Sequence, residues 1–390
     1  MAKKENAMSR TGRHTLETDL VQLGVDCDGR TGTISVPIYT SATYRHPAVG
    51  ESTGYDYTRS GNPTREVLES GLARLEGGAR GLAFSSGMAA LTTFFLHFSS
   101  GDHVVVSEDL YGGTYRILDQ IFTKFGLTVS YIDTTSTEAV EAAIGDNTKA
   151  LLIETPGNPL LGVADLEALG RLCKKRSILF AVDNTFLTPI LQRPFDFGAD
   201  VIIHSGTKYL GGHNDICAGV LITREAELGE EFYFLQNSTG PILPPQDCYL
   251  LIRSLKTLSL RMERHCSNAE KIAAWLDNHP RVQTVYYPGL ATHPGHALSK
   301  KQAKGFGGMI SFRVESDAHA RTTLERLQLI SFAESLGGVE SLITLPAVQT
   351  HGDIPEADRK RLGICESLLR LSVGIEDADD LIADLEQALE

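Results

Sequence analysis

A lysine stands just past a buried-strand pattern in Val201-Ile202-Ile203-His204-Ser205-Gly206-Thr207-Lys208-Tyr209-Leu210-Gly211-Gly212-His213. Burying an ammonium is costly unless it is paired or its pKa falls. A desolvated lysine deprotonates more easily and can attack an aldehyde to form a Schiff base. Ser205 and Thr207 flank Lys208 with hydroxyls suited to phosphate oxygens, and glycines follow. Lysine, hydroxyls and glycine turn together point to pyridoxal 5′-phosphate (PLP). The same residues also fit a lysine that snorkels from a strand end to water, and alone they leave both readings open.

PLP sets further demands on the chain. Its pyridine nitrogen must stay protonated for the ring to act as an electron sink, so a carboxylate must face it. Asp183, directly after the apolar Phe180-Ala181-Val182, fits that role, although an aspartate opening the Asn184-Thr185 loop would look the same. An aromatic face should cover the ring, and Tyr111 in Asp109-Leu110-Tyr111-Gly112-Gly113-Thr114 has glycines beside it that let a ring lie close to backbone. A core or surface tyrosine beside a turn is the plainer alternative. Ser85-Ser86-Gly87-Met88-Ala89-Ala90-Leu91 reads as a tight turn into an apolar helix, a geometry that aims backbone N–H groups at an anion. Ser86 acting only as an N-cap accounts for the same residues. Arg370 alternates with Leu369 and Leu371 on a strand pattern, and its fork suits an amino-acid carboxylate or a structural ion pair.

The elements that must position these residues follow from periodicity. Asn62-Pro63 starts a helix, as cap and first helical residue, and Gly77-Gly78 stops it. Strand patterns at Gly81–Phe84, Val104–Val106, Val129–Ile132, Leu151–Glu154, Leu179–Val182 and Val201–Ile203 mostly alternate with helical ones at 114–125, 137–144 and 165–175. Such alternation predicts an α/β fold with a mostly parallel sheet, whose ligands bind beyond the carboxyl ends of the strands. Ser85, Ser86, Tyr111, Asn158, Asp183 and Ser205 to Lys208 all fall at such ends. Phe232 to Pro245 reads as a Gly/Pro-rich boundary, and Tyr249 begins a long helical pattern. A smaller α/β unit follows, with strand patterns near 305–312, 329–332 and 368–373 and a closing helix at 377–389. The expected division is an extended arm over 1–60, a cofactor domain over 61–248 and a C-terminal domain over 249–390.

Composition narrows the function classes. The 390 residues are 42% apolar and 22% charged, as in ordinary globular proteins. A net charge of −13 offers no basic face for nucleic acid and disfavours anionic membranes. No apolar run approaches the length of a membrane span, and the first ten residues lack the apolar stretch of a secretory signal. Six cysteines without a CxxC pair are expected to be reduced thiols in the cytoplasm. Neither GxGxxG nor GxxxxGK[ST] occurs, and His293-Pro294-Gly295-His296 lacks partnered acidic spacing, so no metal site is expected. His204 and His213 receive no role.

From about Thr33 onward the chain resembles the PLP-dependent Cys/Met metabolism (trans-sulfuration) family of fold type I. The motifs that carry the resemblance are Tyr57-Thr58-Arg59-Ser60-Gly61-Asn62-Pro63-Thr64, Ser86-Gly87-Met88, Tyr111-Gly112-Gly113-Thr114, Glu154-Thr155-Pro156 with Asn158-Pro159, Val182-Asp183-Asn184-Thr185, Ser205 to Tyr209, Glu334-Ser335-Leu336-Gly337-Gly338 and Arg370 to Gly374. The resemblance implies a Schiff base at Lys208, which later carries protons between substrate carbons. It implies phosphate binding by the Gly87 and Met88 amides, Ser205 and Thr207, with Asp183 facing the pyridinium. Tyr111 would stack on the ring and share in proton transfer, and Asn158, Ser335 and Arg370 would hold the substrate carboxylate and the nearby cofactor oxygen. Tyr57 and Arg59 resemble a pair donated across a subunit interface, which implies a homotetramer built from dimers with shared sites.

The resemblance also bears on the reaction. Gly113 stands where methionine γ-lyases carry cysteine. Glu334 stands where those enzymes are apolar and cystathionine β-lyases carry tyrosine, and a carboxylate there can meet the distal ammonium of cysteine or cystathionine. γ-Replacement on an O-acylhomoserine by cysteine, or γ-elimination of cystathionine, remains. Tyr44-Arg45-His46, Gly50-Glu51-Ser52-Thr53-Gly54 and Leu243-Pro244-Pro245 most resemble bacterial cystathionine γ-synthases and O-acetylhomoserine thiolyases, so γ-synthase is the preferred reading. A non-catalytic regulator on the same fold would be expected to lose Lys208, Asp183, Tyr111 or Arg370, and the chain keeps all four.

Overall fold

The computed structural model describes residues 14–352 and 354–390. Positions 1–13 of the expected arm therefore lie outside the described residues. The rest of the arm carries one short helix, Leu16–Val21, and little other regular structure before Pro63. It is pinned to the body by Tyr39 N–H donating to Thr64 Oγ1 at 2.9 Å and by Asn62 Nδ2 donating to the Tyr39 carbonyl at 2.8 Å.

Seven strands make the large sheet: β1 (Arg80–Phe84), β2 (His103–Ser107), β3 (Thr128–Ile132), β4 (Thr148–Glu154), β5 (Leu179–Asp183), β6 (Val201–Ser205) and β7 (Gly219–Thr223). Their order is β1-β7-β6-β5-β4-β2-β3. β3, β2, β4, β5 and β6 run parallel, and β7 is antiparallel to both its neighbours. Strand residues divide by pleat between two cores. Val105, Leu151, Ile153, Phe180, Val182 and Ile202 join one, and Val104, Val106, Leu152, Ala181, Val201 and Ile203 join the other. Burial on both faces is why these strands read as unbroken apolar runs.

The helix Pro63–Glu76 starts as its sequence predicts. Asn62 Oδ1 accepts from Thr64 N and Arg65 N, Pro63 occupies the first turn, and Gly77 closes the helix at φ 81°. Two other expectations need correction. The segment from Phe232 is helical: Ala226–Thr239 forms a helix capped by Gly240 at φ 85°, so the Gly/Pro-rich stretch begins only there. The long helical pattern after Tyr249 is two helices, Pro245–Leu255 and Leu258–Asp277. β7 was a missed strand, although its five buried residues carry the same apolar signal as β6.

A second sheet of five strands forms the C-terminal unit: β8 (Val282–Tyr286), β9 (Met309–Val314), β10 (Ser331–Phe332), β11 (Leu342–Thr344) and β12 (Leu368–Ser372), in the order β10-β11-β12-β9-β8. It is antiparallel except for β10 beside β11. The expected 248/249 division falls inside the helix Pro245–Leu255, whose Leu251 and Leu255 belong to the large core. Leu258 and Met262 of the next helix belong there too, whereas Ala269, Ile272 and Leu276 pack in the C-terminal core.

Candidate active site

Beyond the carboxyl ends of β4, β5 and β6 lies a cavity of about 220 Å³, the place the parallel topology dictates. Gly87, Met88, Tyr111, Asn158, Asp183, Ser205, Thr207, Lys208, Glu334, Ser335 and Arg370 all line it. Ser85, Tyr57 and Arg59, also singled out in the sequence, do not line it. Tyr57 is 46% exposed, and the Arg59 guanidinium lies 5.3 Å from its ring centre while Nε donates to Asn237 Oδ1 at 3.4 Å.

At one end of the cavity the helix Gly87–Phe95 begins. Ser86 Oγ accepts from Ala89 N at 3.0 Å, so Ser86 does serve as the cap. The first-turn amides of Gly87 and Met88 have no acceptor within the helix and line the cavity, which suits an anion. A Cβ on Gly87 would sit 3.0 Å from Ser205 Cβ and 3.2 Å from its Oγ, so glycine leaves room between the two segments. Thr207 Oγ1 accepts from Ala218 N at 3.0 Å and donates to the Ala218 carbonyl at 3.3 Å. Its hydroxyl therefore fixes the turn before Lys208 as well as facing the cavity.

The Lys208 amine donates to Ser335 Oγ at 2.8 Å. Desolvation, then the Arg370 charge, lowers its pKa to about 8. Ser335 reaches it from a left-handed backbone conformation, φ 89°, which costs a non-glycine residue roughly 1–3 kcal/mol. Gly337 follows at φ 77°, where a Cβ would lie 2.6 Å from Tyr209 N. The Ser335–Gly337 turn thus fits closely against the lysine's own segment and meets it at the Lys208 amine.

Arg370 on β12 is 2% exposed. Its Nη1 donates to Asn158 Oδ1 at 2.8 Å and its Nη2 to the Ser335 carbonyl at 3.2 Å, while Nε is buried without a partner. Burial lowers its pKa to about 10, which still leaves it cationic at neutral pH. A buried cation with unspent hydrogen-bonding capacity is a carboxylate anchor in waiting. Behind it, fully buried His351 donates from Nε2 to the Asn158 carbonyl at 2.9 Å, and its Nδ1 lies 2.8 Å from Thr350 Oγ1. Sequence reasoning missed His351, which lies in a loop and acts through a backbone carbonyl.

Asp183 ends β5, with Oδ1 accepting from Thr185 N at 3.0 Å. Desolvation raises its pKa, and the hydrogen bonds of Thr185 oppose that rise. Glu154 ends β4 in register with Asp183. Desolvation and then the Asp183 charge push its pKa well above the ordinary value. Glu154 belonged to a sequence motif but received no role, although a carboxylate ending an apolar strand is the pattern that drew attention to Asp183.

These features fit PLP. The chain offers an amine with a lowered pKa, a first-turn amide pair beside two hydroxyls, and buried carboxylates at the ends of β4 and β5. Tyr111 borders the same space. PLP would be held by Lys208, with its phosphate at Gly87, Met88, Ser205 and Thr207 and its ring nitrogen toward Asp183.

Comparison with known proteins agrees with a PLP cofactor. The family described as Cys/Met metabolism PLP-dependent enzyme matches residues 17–390. A cystathionine gamma-lyase from Bacillus subtilis is 53% identical over 96% of this chain and 99% of its own. A cystathionine gamma-synthase/O-acetylhomoserine (thiol)-lyase from the same organism is 51% identical over 96% of each chain. The crystal structure of a cystathionine gamma synthase from Xanthomonas oryzae pv. oryzae in complex with cystathionine superposes with a TM-score of 0.95 at 44% identity, covering 97% of this chain and 98% of that one. Relatives near this identity also include cystathionine beta-lyases.

Proposed function

Because the chain belongs to the Cys/Met metabolism PLP-dependent enzyme family, we propose that it joins cysteine to an O-acylhomoserine, replacing the acyl group at the γ-carbon to give cystathionine. The observation that carries this reading is the presence of Arg370 and Glu334 in one cavity around Lys208. A four-carbon amino acid bound there has a cation for its carboxylate, an amine at its reacting carbons and a carboxylate for the distal ammonium of the partner amino acid. The motifs at 44–46, 50–54 and 243–245 favour the synthase direction, as does the relative that carries both synthase and thiolyase activity.

When bound, PLP supplies the electron sink that stabilises negative charge on the substrate carbons. The chain's residues do the rest. Arg370, braced by Asn158 and the Ser335 carbonyl, fixes the carboxylate. Lys208, with a pKa of about 8, is neutral often enough to take a proton from one carbon and return it to the next. Ser335 holds its amine on line. Glu334 orients the incoming cysteine through its ammonium, and Tyr111 borders the reacting carbons and shares in proton transfer. Tyr57 and Arg59, on the surface of their own chain, reach the cavity of a second copy in the assembly we propose, a homotetramer made of dimers.

γ-Elimination of cystathionine is the second reading, favoured by the 53% identical γ-lyase. Turnover of the purified PLP-loaded protein separates them. One reaction holds O-acetyl- or O-succinylhomoserine with cysteine, and the other holds cystathionine alone. Dominant cystathionine formation is expected; rapid release of cysteine and 2-oxobutyrate with little ester use would overturn the synthase reading.

A further inference from the structure

The chain has six cysteines, and the mechanism uses none of them. Cys173 and Cys248 are buried, Cys266 and Cys365 are partly buried, and Cys27 and Cys217 are exposed. Burial pushes the Cys27, Cys173, Cys248 and Cys266 thiols up, which withholds their reactive thiolates. Cys217 differs in its place: it is exposed inside the cavity that Lys208 and Arg370 line. It is also held there. Its neighbour Ala218 is bonded through both its N–H and its carbonyl to Thr207, the residue before Lys208. β7 then carries the chain away at Gly219.

A thiol alone does not make a site, but this one shares a cavity with a built carboxylate anchor. Arg370 is 2% exposed and its Nε has no partner. Any small carboxylate drawn to that guanidinium enters the space that Cys217 borders. We infer that Cys217 is a modification site for small disulfides that bear a carboxylate, which dock through Arg370 and exchange with the thiol to block the cavity reversibly. The Cys217 thiolate attacks one sulfur of the disulfide, and the new S–S bond forms as the old one breaks. The departing thiolate takes the electron pair and the proton that Cys217 gave up, so Cys217 is oxidised and the departing half is reduced. The modifying molecule is its own oxidant. This inference rests on reading Arg370 as the carboxylate anchor.

The test treats the PLP-loaded enzyme with 3,3′-dithiodipropionate or with the uncharged 2-hydroxyethyl disulfide at equal concentration. Neither has an amino group, so neither can be turned over as a substrate. Peptide mapping follows adducts on Cys217 and on Cys27, the exposed thiol between Asp26 and Asp28. At Cys217 the carboxylate reagent should react about tenfold faster than the neutral one, the ratio expected from one charge-assisted hydrogen bond. At Cys27 that preference should be absent. Activity should fall in step with the Cys217 adduct and return with dithiothreitol, and Cys217→Ser should keep turnover but lose the sensitivity. Equal rates for both reagents at Cys217, no adduct there, or an adduct without loss of activity would overturn the inference. Any of these in an enzyme that still turns over its substrates would leave the proposed function standing.

Discussion

The Glu154 carboxylate accepts the backbone N–H of Tyr111 at 2.9 Å, while Glu154 itself lies in register with Asp183 on the next strand. One side chain therefore ties the turn that presents the tyrosine to the strand that presents the aspartate. Glu154→Gln keeps an acceptor and should retain most activity. Glu154→Leu leaves the amide unpaired and frees the Tyr111 turn, so kcat should drop about tenfold or more. Equal kinetics for the two variants would remove Glu154 from this role.

Lys208 gives a pH prediction with a definite sign. Its pKa is lowered to about 8 from 10.5, so the neutral nucleophile is already half populated near pH 8. The rate at which the cofactor-free protein takes up PLP should rise with pH through an apparent pKa near 8 and level off above it. An apparent pKa near that of free lysine would mean that desolvation does not activate the amine. Lys208→Ala should show no covalent uptake and no turnover with its fold intact.

Gly113 can be tested as a steric device. A Cβ there would lie 2.5 Å from Tyr111 Cε1 and 2.9 Å from Met88 Sδ. The Tyr111 ring is 42% exposed and so has somewhere to go. Gly113→Cys should keep the melting temperature nearly unchanged but displace the ring, with kcat/KM falling about tenfold, the scale expected of a misplaced reacting group. An unchanged kcat/KM would show that the ring position in this structure is not the working one.

His351 should act through the Arg370 brace. Burial first, and then the Arg370 charge, lower its pKa to about 3, so it is a neutral donor to the Asn158 carbonyl across the working pH range. His351→Leu leaves that carbonyl unpaired in the interior, at a cost of about 1–3 kcal/mol. The melting temperature should fall and KM for the amino acid should rise more than kcat falls. Equal losses in both constants would point to a general disturbance of the fold instead.

The legible parts of the molecule were those whose signal is local. The parallel strands β2, β4, β5 and β6 are buried on both faces and read as apolar runs, and Asp183 and Lys208 stand out because a charge at or just past such a run is unusual. The Asn62-Pro63 start and the Gly77 stop were legible because capping chemistry needs those residue types at those places. The C-terminal sheet was harder, since β10 has two residues and β11 three, too few for a period to show. Proline and glycine near 240–245 mark a turn, whereas the change of core happens further on, within the regular helix Leu258–Asp277. Tyr57 and Arg59 lie away from the cavity of their own chain, and the family resemblance alone implies a role for them in a neighbouring site.

The helix Leu258–Asp277 starts in one core with Leu258 and Met262 and ends in the other with Ile272 and Leu276. The two domains therefore share a rigid rod where a hinge would otherwise stand. Rotating one against the other would mean bending an α-helix whose apolar face is buried along both halves. The chain should also melt as one cooperative unit, so damage deep in the C-terminal core would be felt at the cavity beyond the large sheet.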